Sequence, residues 1–270
     1  MDHLDKLESQ SIYIIREAYK QFKNITLLWS IGKDSTTLLW LCRKAFYGKL
    51  PFPVVHIDTG FKFPEMYEFR DKWAEKLNLN LIVGKNQEAL DNGITCMMDE
   101  EMTCCKHLKT EALKQVIEKE KFKALIVGIR RDEHGVRAKE RYFSPRDEEF
   151  KWNYKDQPPE LWDQYKSKSE EDNHLRIHPL LHWTELDIWK YIEREDIPTN
   201  ELYFAKDGKR FRSLGCTRAT VPVESKADTV PKIIKEIKNT KTAERSGRAQ
   251  DKEKAYLMQK LRSLGYMILF

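Results

Sequence analysis

The sequence predicts an α/β fold: a mostly parallel, twisted sheet flanked by helices, with a C-terminal extension. Short apolar runs of strand length alternate with longer stretches at helical spacing, which is the pattern of βαβ units. The first apolar run ends at a Gly-containing turn that leads into a helix. At 270 residues and 40% hydrophobic content, the chain suits one large domain with an appendage and can still bury a core.

Each element follows from its local pattern. Residues 4–23 read as an amphipathic helix, with Leu4, Leu7, Ile12, Ile15, Ala18, Tyr19 and Phe22 recurring among charges. Residues 25–30 read as a buried strand, and 35–46 as a helix with Leu38, Leu39, Leu41, Cys42 and Ala45 inward. A second strand covers 52–58. A second helix covers 64–77 and opens on Pro64, where a missing N–H costs nothing. Residues 80–83, 124–128 and 175–180 supply further strands, with a helix over 110–120. Thr184 is the predicted N-cap of a helix reaching 192, with Asp187 closing a capping box. Residues 144–173 read as a long surface excursion, 206–229 as a loop region and 230–263 as one or two Lys/Glu-rich helices. The predicted division is a nucleotide-binding domain over 1–195 and an extension over 196–270 packed on it.

Composition narrows the function. No run of 18 apolar residues exists, so a membrane span is not expected. The charged N-terminus is not a secretory signal. Five cysteines do not make a disulfide framework and point to a reducing, cytoplasmic setting. A net charge of +5 fits an anionic ligand and does not by itself argue for nucleic acid.

Three motifs sit where strands end, the edge at which such sheets bind ligands. In the first, Ser30-Ile31-Gly32-Lys33-Asp34-Ser35-Thr36, turn amides and a helix N-terminus make an anion site. Gly32 permits close backbone approach, Ser30, Ser35 and Thr36 add hydroxyls, Lys33 adds a cation and Asp34 is placed to orient a metal. The spacing is not that of a Walker A loop. The plain alternative is a βα turn with a Ser cap. In the second, Asp58-Thr59-Gly60, Asp58 either meets a ribose, base or metal or caps the following turn. In the third, Gly128 precedes Arg130 and Arg131, with Arg137, Lys139 and Arg141 close behind. Such forks suit phosphate or sulfate oxygens, and the alternative is a solvated charged face.

The loop Ser-x-Gly-x-Asp-Ser resembles that of the ATP pyrophosphatase superfamily, which cleaves ATP between the α and β phosphorus. Longer runs resemble the small-subunit family of bacterial ATP sulfurylase. These include 43–47, 50–53, 56–60, 65–71, 130–133, 137–141, 159–162, 187–192, 211–216, 223–225 and 244–248, so the resemblance covers nearly the whole chain. It implies an adenine nucleotide alpha-hydrolase-like fold and ATP with Mg²⁺ as cofactor set. It also implies attack on the α-phosphorus by sulfate or a related oxyanion, and a GTPase large subunit as partner. Self-association is compatible with it. On this reading Lys33, Arg130 and Arg131 carry catalysis, while Ser30, Gly32, Asp34, Ser35, Thr36, Asp58, Thr59, Gly60 and Gly128 hold the nucleotide.

The sequence departs from that family in two respects. Only about twenty residues separate the helix near 190 from Phe211, where the family carries a longer insert. The pair Cys104-Cys105 resembles adenylylsulfate reductases, in which a cysteine pair helps hold an iron–sulfur cluster, but the later Cys-x-x-Cys is here Cys216-Thr217-Arg218-Ala219. Cys104, Cys105 and Cys216 are the candidate cluster or redox residues, with Cys96 as a fourth. The rival expectation is therefore a reductase or sulfurtransferase using these thiols. A third is a non-catalytic nucleotide-binding subunit. Cys42 reads as core, and His178 and His182 as structural.

Overall fold

The computed structural model describes residues 1–96, 104–133, 137–147, 150, 152–153, 157, 160, 165, 174–240 and 244. Six strands form one sheet: β1 (Ile25–Leu28), β2 (Val54–Ile57), β3 (Leu81–Gly84), β4 (Ala124–Val127), β5 (Phe143–Arg146) and β6 (His174–Ile177), in the order β3-β2-β1-β4-β6-β5. All neighbours are parallel except β5, which runs antiparallel to β6. A separate antiparallel pair joins β7 (Lys209–Arg210) to β8 (Val223–Glu224). The helices are α1 (His3–Gln21), α2 (Lys33–Ala45), α3 (Pro64–Lys76), α4 (Gln87–Asp91), α5 (Ala112–Glu120), α6 (Glu185–Arg194) and α7 (Val230–Asn239).

Both faces of the sheet are covered, as a parallel sheet requires. Strand alternation sends Ile25 and Leu27 of β1, Val54 of β2 and Ile126 of β4 into a core shared with Ile14, Leu38, Leu41 and Ile188. The intervening residues Leu28, Val55 and Leu125 pack on the opposite face against Val116 and Ile117 of α5. Each such aliphatic side chain contributes roughly 1.5–3 kcal/mol on burial. Ile197, Tyr203, Leu214, Ala227 and Ile233 belong to the first core, so the described chain between these residues packs into it.

Several expectations meet their elements. The capping box of α6 forms: Thr184 Oγ1 accepts from the Asp187 amide at 3.2 Å, and Asp187 accepts from the Thr184 amide at 3.0 Å. Cys42 is fully buried in the core. Two expectations need correction. Residues 143–146, at the start of the supposed excursion, form the edge strand β5. The helix expected from 110 is preceded by a wide π-type turn over Lys106–Glu111. Most of 148–173, and the helix expected beyond 240, lie outside the described residues. No described helix is long and apolar enough to cross a membrane.

Candidate functional site: an anion loop at the switch point

Strand order reverses between β1 and β4, because β1 leads to β2 on one side while β4 lies on the other. At such a point the two following loops diverge and leave a crevice at the carboxyl edge. The loops that meet here are Trp29–Gly32 and Gly128–Arg130. Gly128 lies against the start of α2: a Cβ there would stand 3.1 Å from the Ser35 amide nitrogen and 3.2 Å from the Asp34 carbonyl, so any larger residue would require the backbone to give by a few tenths of an ångström.

The first loop is tied together by its own hydroxyls. Ser35 Oγ accepts from the Ser30 amide at 3.2 Å, lies 3.0 Å from Ser30 Oγ and donates to the Gly32 carbonyl at 3.1 Å. Thr36 points to the core, where its hydroxyl accepts from the Trp29 indole at 3.1 Å. The residue with left-handed backbone is Ile31 at φ 67°, whereas Gly32 has an ordinary φ of −79°. A β-branched residue in that region is strained and must be held there by its surroundings; Ile31 is buried. Tyr203 donates no part of the sequence motif, yet its hydroxyl accepts from the Lys33 amide at 2.8 Å at the start of α2.

Above the loop sits an ionic network of Lys33, Asp34, Arg130, Asp132 and Glu244. Lys33 Nζ donates to Asp34 at 3.1 Å and to Glu244 at 2.5 Å. Arg130 donates through Nη1 to Asp34, through Nη2 to Glu244 at 2.5 Å and through Nε to Asp132 at 2.8 Å. The Lys33 and Arg130 side chains have no exposure, and Glu244 has 4%. Burial opposes the charge on Arg130, but Glu244, Glu133 and Asp132 raise its pKa above the usual value. Burial likewise opposes charge on Glu244, yet Lys33 and Arg130 hold its carboxyl far below the carboxylate range. Behind them, Arg212 grips Glu185 at 2.6 Å, and the Arg212 carbonyl lies 3.5 Å from Lys33 Nζ.

Arg131 leaves this network. Its guanidinium bonds to His182 and, at 3.3 Å, to the Glu140 carbonyl, while the other His182 nitrogen meets Tyr142. Arg137 pairs with Glu133.

The loop after β2 is built differently. Asp58 accepts from the Gly60 amide and from Tyr67, both at 2.8 Å, so one of its oxygens caps the turn; Gly60 takes the left-handed φ of 78° that turn needs. Burial opposes the Asp58 charge, but these two donors and the Lys62 ammonium hold its pKa below normal. Lys62 Nζ donates to the Ile57 carbonyl at 2.6 Å and stands 2.8 Å from His56 Nε2. Burial pulls Lys62 down to about 7 and His56 to about 3. His56 is thus neutral, with Nδ1 donating to the Trp29 carbonyl at 2.9 Å.

Cys216 reaches this loop: its Sγ lies 3.2 Å from Thr59 Oγ1, and it bridges to Lys62 through the backbone. Cys96 and Cys104 are buried nearby with Leu108, and Cys105 packs against them. Burial, then the neighbouring thiols of Cys105, Cys216 and Cys96, push Cys104 up to about 12. All five cysteines are free, and no metal-binding group of three or more His, Cys, Asp or Glu occurs among the described residues.

The sequence motifs thus led to Lys33, Asp34, Ser35, Gly128 and Arg130, which the fold brings together. They gave no role to Tyr203, Lys62, Arg212 or Glu244. For Glu244 the one signal was its place in the run Glu-Arg-Ser-Gly-Arg at 244–248.

Comparison with known proteins agrees with this geometry. A phosphoadenosine phosphosulfate reductase domain model matches residues 24–222. By fold, the chain is similar to a phosphoadenylyl-sulfate reductase from Candida auris, with a TM-score of 0.56 and 18% identity over 82% of this chain and 97% of that one. It is also similar to an FMN adenylyltransferase from Candida glabrata, solved with FAD and inorganic pyrophosphate, with a TM-score of 0.57 and 21% identity over 81% of this chain and 64% of that one. The fold is that of an α/β protein of the phosphoadenosine phosphosulfate reductase class. Sulfate adenylyltransferase subunit 2 of Saccharophagus degradans is 44% identical, and that of Geotalea daltonii 43%, each over 98% of both chains. The chain belongs to the sulfate adenylyltransferase subunit 2 family. The first of these alignments spans 296 positions against 270 residues here, so that relative carries residues this chain lacks.

Proposed function

We propose that the chain catalyses adenylyl transfer from ATP to sulfate. One sulfate oxygen attacks the α-phosphorus in line. The new O–P bond forms as the bond from the α-phosphorus to the bridging α–β oxygen breaks, and pyrophosphate departs with that electron pair. Positioning and charge neutralisation do the work, and no protein nucleophile is required. The loop Ser30–Thr36 holds the β and γ phosphates on its backbone and on Lys33, and Arg130 offsets charge that builds on the leaving group. The carrying observation is that Lys33 and Arg130, from two different strand ends, converge at the switch point.

Mg²⁺ fits this donor set: Asp34 is the partly exposed carboxylate at the loop, at 16% exposure, and would share the ion with phosphate oxygens. When bound, the ion supplies further neutralisation of the pyrophosphate. Nucleotide contact by Asp58, Thr59 and Gly60 is part of the same proposal, with the free edge of Asp58 facing the ligand. Arg131 would act only by turning away from His182.

The product is a high-energy anhydride, so the equilibrium lies towards ATP. The family's name as a second subunit supports a large partner that supplies energy, and a GTPase is the reading adopted here. A thiol-based reaction is disfavoured by the raised Cys104 pKa, because the thiolate is the reactive form.

Sulfate-dependent exchange of labelled pyrophosphate into ATP tests the proposal. Wild type should exchange and Asp34→Ala should fall by two orders of magnitude or about 3 kcal/mol. Exchange that ignores sulfate, or an unaffected Asp34→Ala, overturns it.

A further inference from the structure

We infer that Glu244 is the resident anion of the pyrophosphate site, a carboxylate that the β and γ phosphates must displace. This rests on the reading of loop 30–36 as the pyrophosphate site. One Glu244 oxygen takes Lys33 Nζ and the other takes Arg130 Nη2, each at 2.5 Å, as two oxygens of one phosphate would. Both cationic side chains are then wholly buried. A phosphate oxygen cannot touch those atoms while Glu244 does, so the two occupancies exclude each other.

Charge carries the same conclusion. Lys33 and Arg130 face Asp34 and Glu244 in contact, and Arg130 Nε also meets Asp132, a carboxylate 36% exposed to solvent. The filled network offers no surplus charge to an incoming anion. With Glu244 withdrawn, Lys33 and Arg130 keep Asp34 and the more exposed Asp132, but both lose their buried carboxylate partner, and the vacated contacts on two buried cations are costly until an anion arrives. Glu244 therefore lets the empty loop stay folded and sets the threshold for loading. It lies after α7, 211 residues from Lys33, so the charge balance of the loop depends on a residue remote from it in sequence.

A structural strut and a displaceable stand-in predict opposite signs. Pyrophosphate alone is the probe, titrated calorimetrically into the full chain, with thermal melting alongside. Removing a competitor that holds most of the population tightens apparent affinity in proportion. Glu244→Ala should bind pyrophosphate at least about 10-fold more tightly than wild type. It should also melt lower when empty and gain more from saturating pyrophosphate than wild type does. Glu244→Gln keeps the shape but presents an amide donor to one of the two cations, so it should tighten binding in the same direction. It decides the matter if the alanine variant does not fold. Wild type binding pyrophosphate with both variants equal or weaker would overturn the inference and leave the proposed function standing. No binding in any of the three would overturn both.

Discussion

Along the carboxyl edge of the sheet, the loops after β1 and β4 bury Lys33 and Arg130 against Asp34 and Glu244. The loop after β2 buries Lys62 and His56 against each other and two backbone carbonyls. Similar burial is met in two ways. In the first region the charges stay and are matched by opposite charges. In the second the groups hold their protons more weakly: Lys62 falls to about 7, so that it is partly deprotonated at neutral pH, and His56 to about 3, burial being the largest cause of both. A matched charge can be exchanged for a ligand's charge, which suits a site for phosphates. A lysine that gives up its charge so readily holds a phosphate only weakly, which suits a scaffold that shapes the Asp58 turn.

The contrast is broken most directly at Arg130. Arg130→Ala leaves Asp34 and Glu244 sharing only Lys33, and removing one partner of a buried ionic set costs about 3–5 kcal/mol. Urea unfolding at pH 7 should show that loss, together with a fall in pyrophosphate exchange. A loss below about 1 kcal/mol would mean that the network is solvated and the contrast false.

Lys62 sharpens the comparison through pH. The unfolded chain keeps this proton up to the ordinary 10.5, whereas the folded chain gives it up near 7. Between those values the unfolded state binds more protons, so the Lys62 contribution to stability rises with pH. It is fully present above 10.5 and is lost as pH falls through 7. Lys62→Met should remove a rise of a few kcal/mol between pH 7 and 10.5, seen as the difference between wild-type and variant denaturation curves. Parallel curves would show that Lys62 stays charged.

The smallest effect is expected at the thiols. Changing Cys104 and Cys105 together to Ser should alter pyrophosphate affinity by less than about 0.5 kcal/mol, because neither touches the ionic network. A tenfold loss in titration would tie the thiols to the nucleotide.

Sequence reasoning reached what local chemistry dictates. The anion loop was legible because a buried strand, a turn with hydroxyls and a helix start must be contiguous. The Thr184–Asp187 box was legible for the same reason. The edge strand β5 was missed because Phe-Ser-Pro-Arg has a polar residue, a proline and a charge, so neither alternation nor propensity marks it. It exists because Ser144 and Arg146 find Glu140 in a buried cluster. Arg130 and Arg131 look equivalent in sequence, but a short 3₁₀ turn at Arg131–Glu133 sends one towards Asp34 and the other towards His182. Glu244 could not be found by spacing, since its partners lie 211 and 114 residues away. A glutamate in a Lys/Glu-rich stretch carries no local mark of burial.

The antiparallel edge strand has one more consequence. The Tyr142 carbonyl accepts from the His178 amide at 2.9 Å, so the backbone groups of the even-numbered residues of this stretch face β6 and those of Phe143 and Pro145 face away from it. Proline has no amide proton, and the Phe143 amide is already spent on the Glu160 carboxylate at 2.9 Å. The outer rim of β5 therefore offers no free amide to another strand. A foreign strand pairing here would lack both of these amide donors, which disfavours edge-to-edge association along β5.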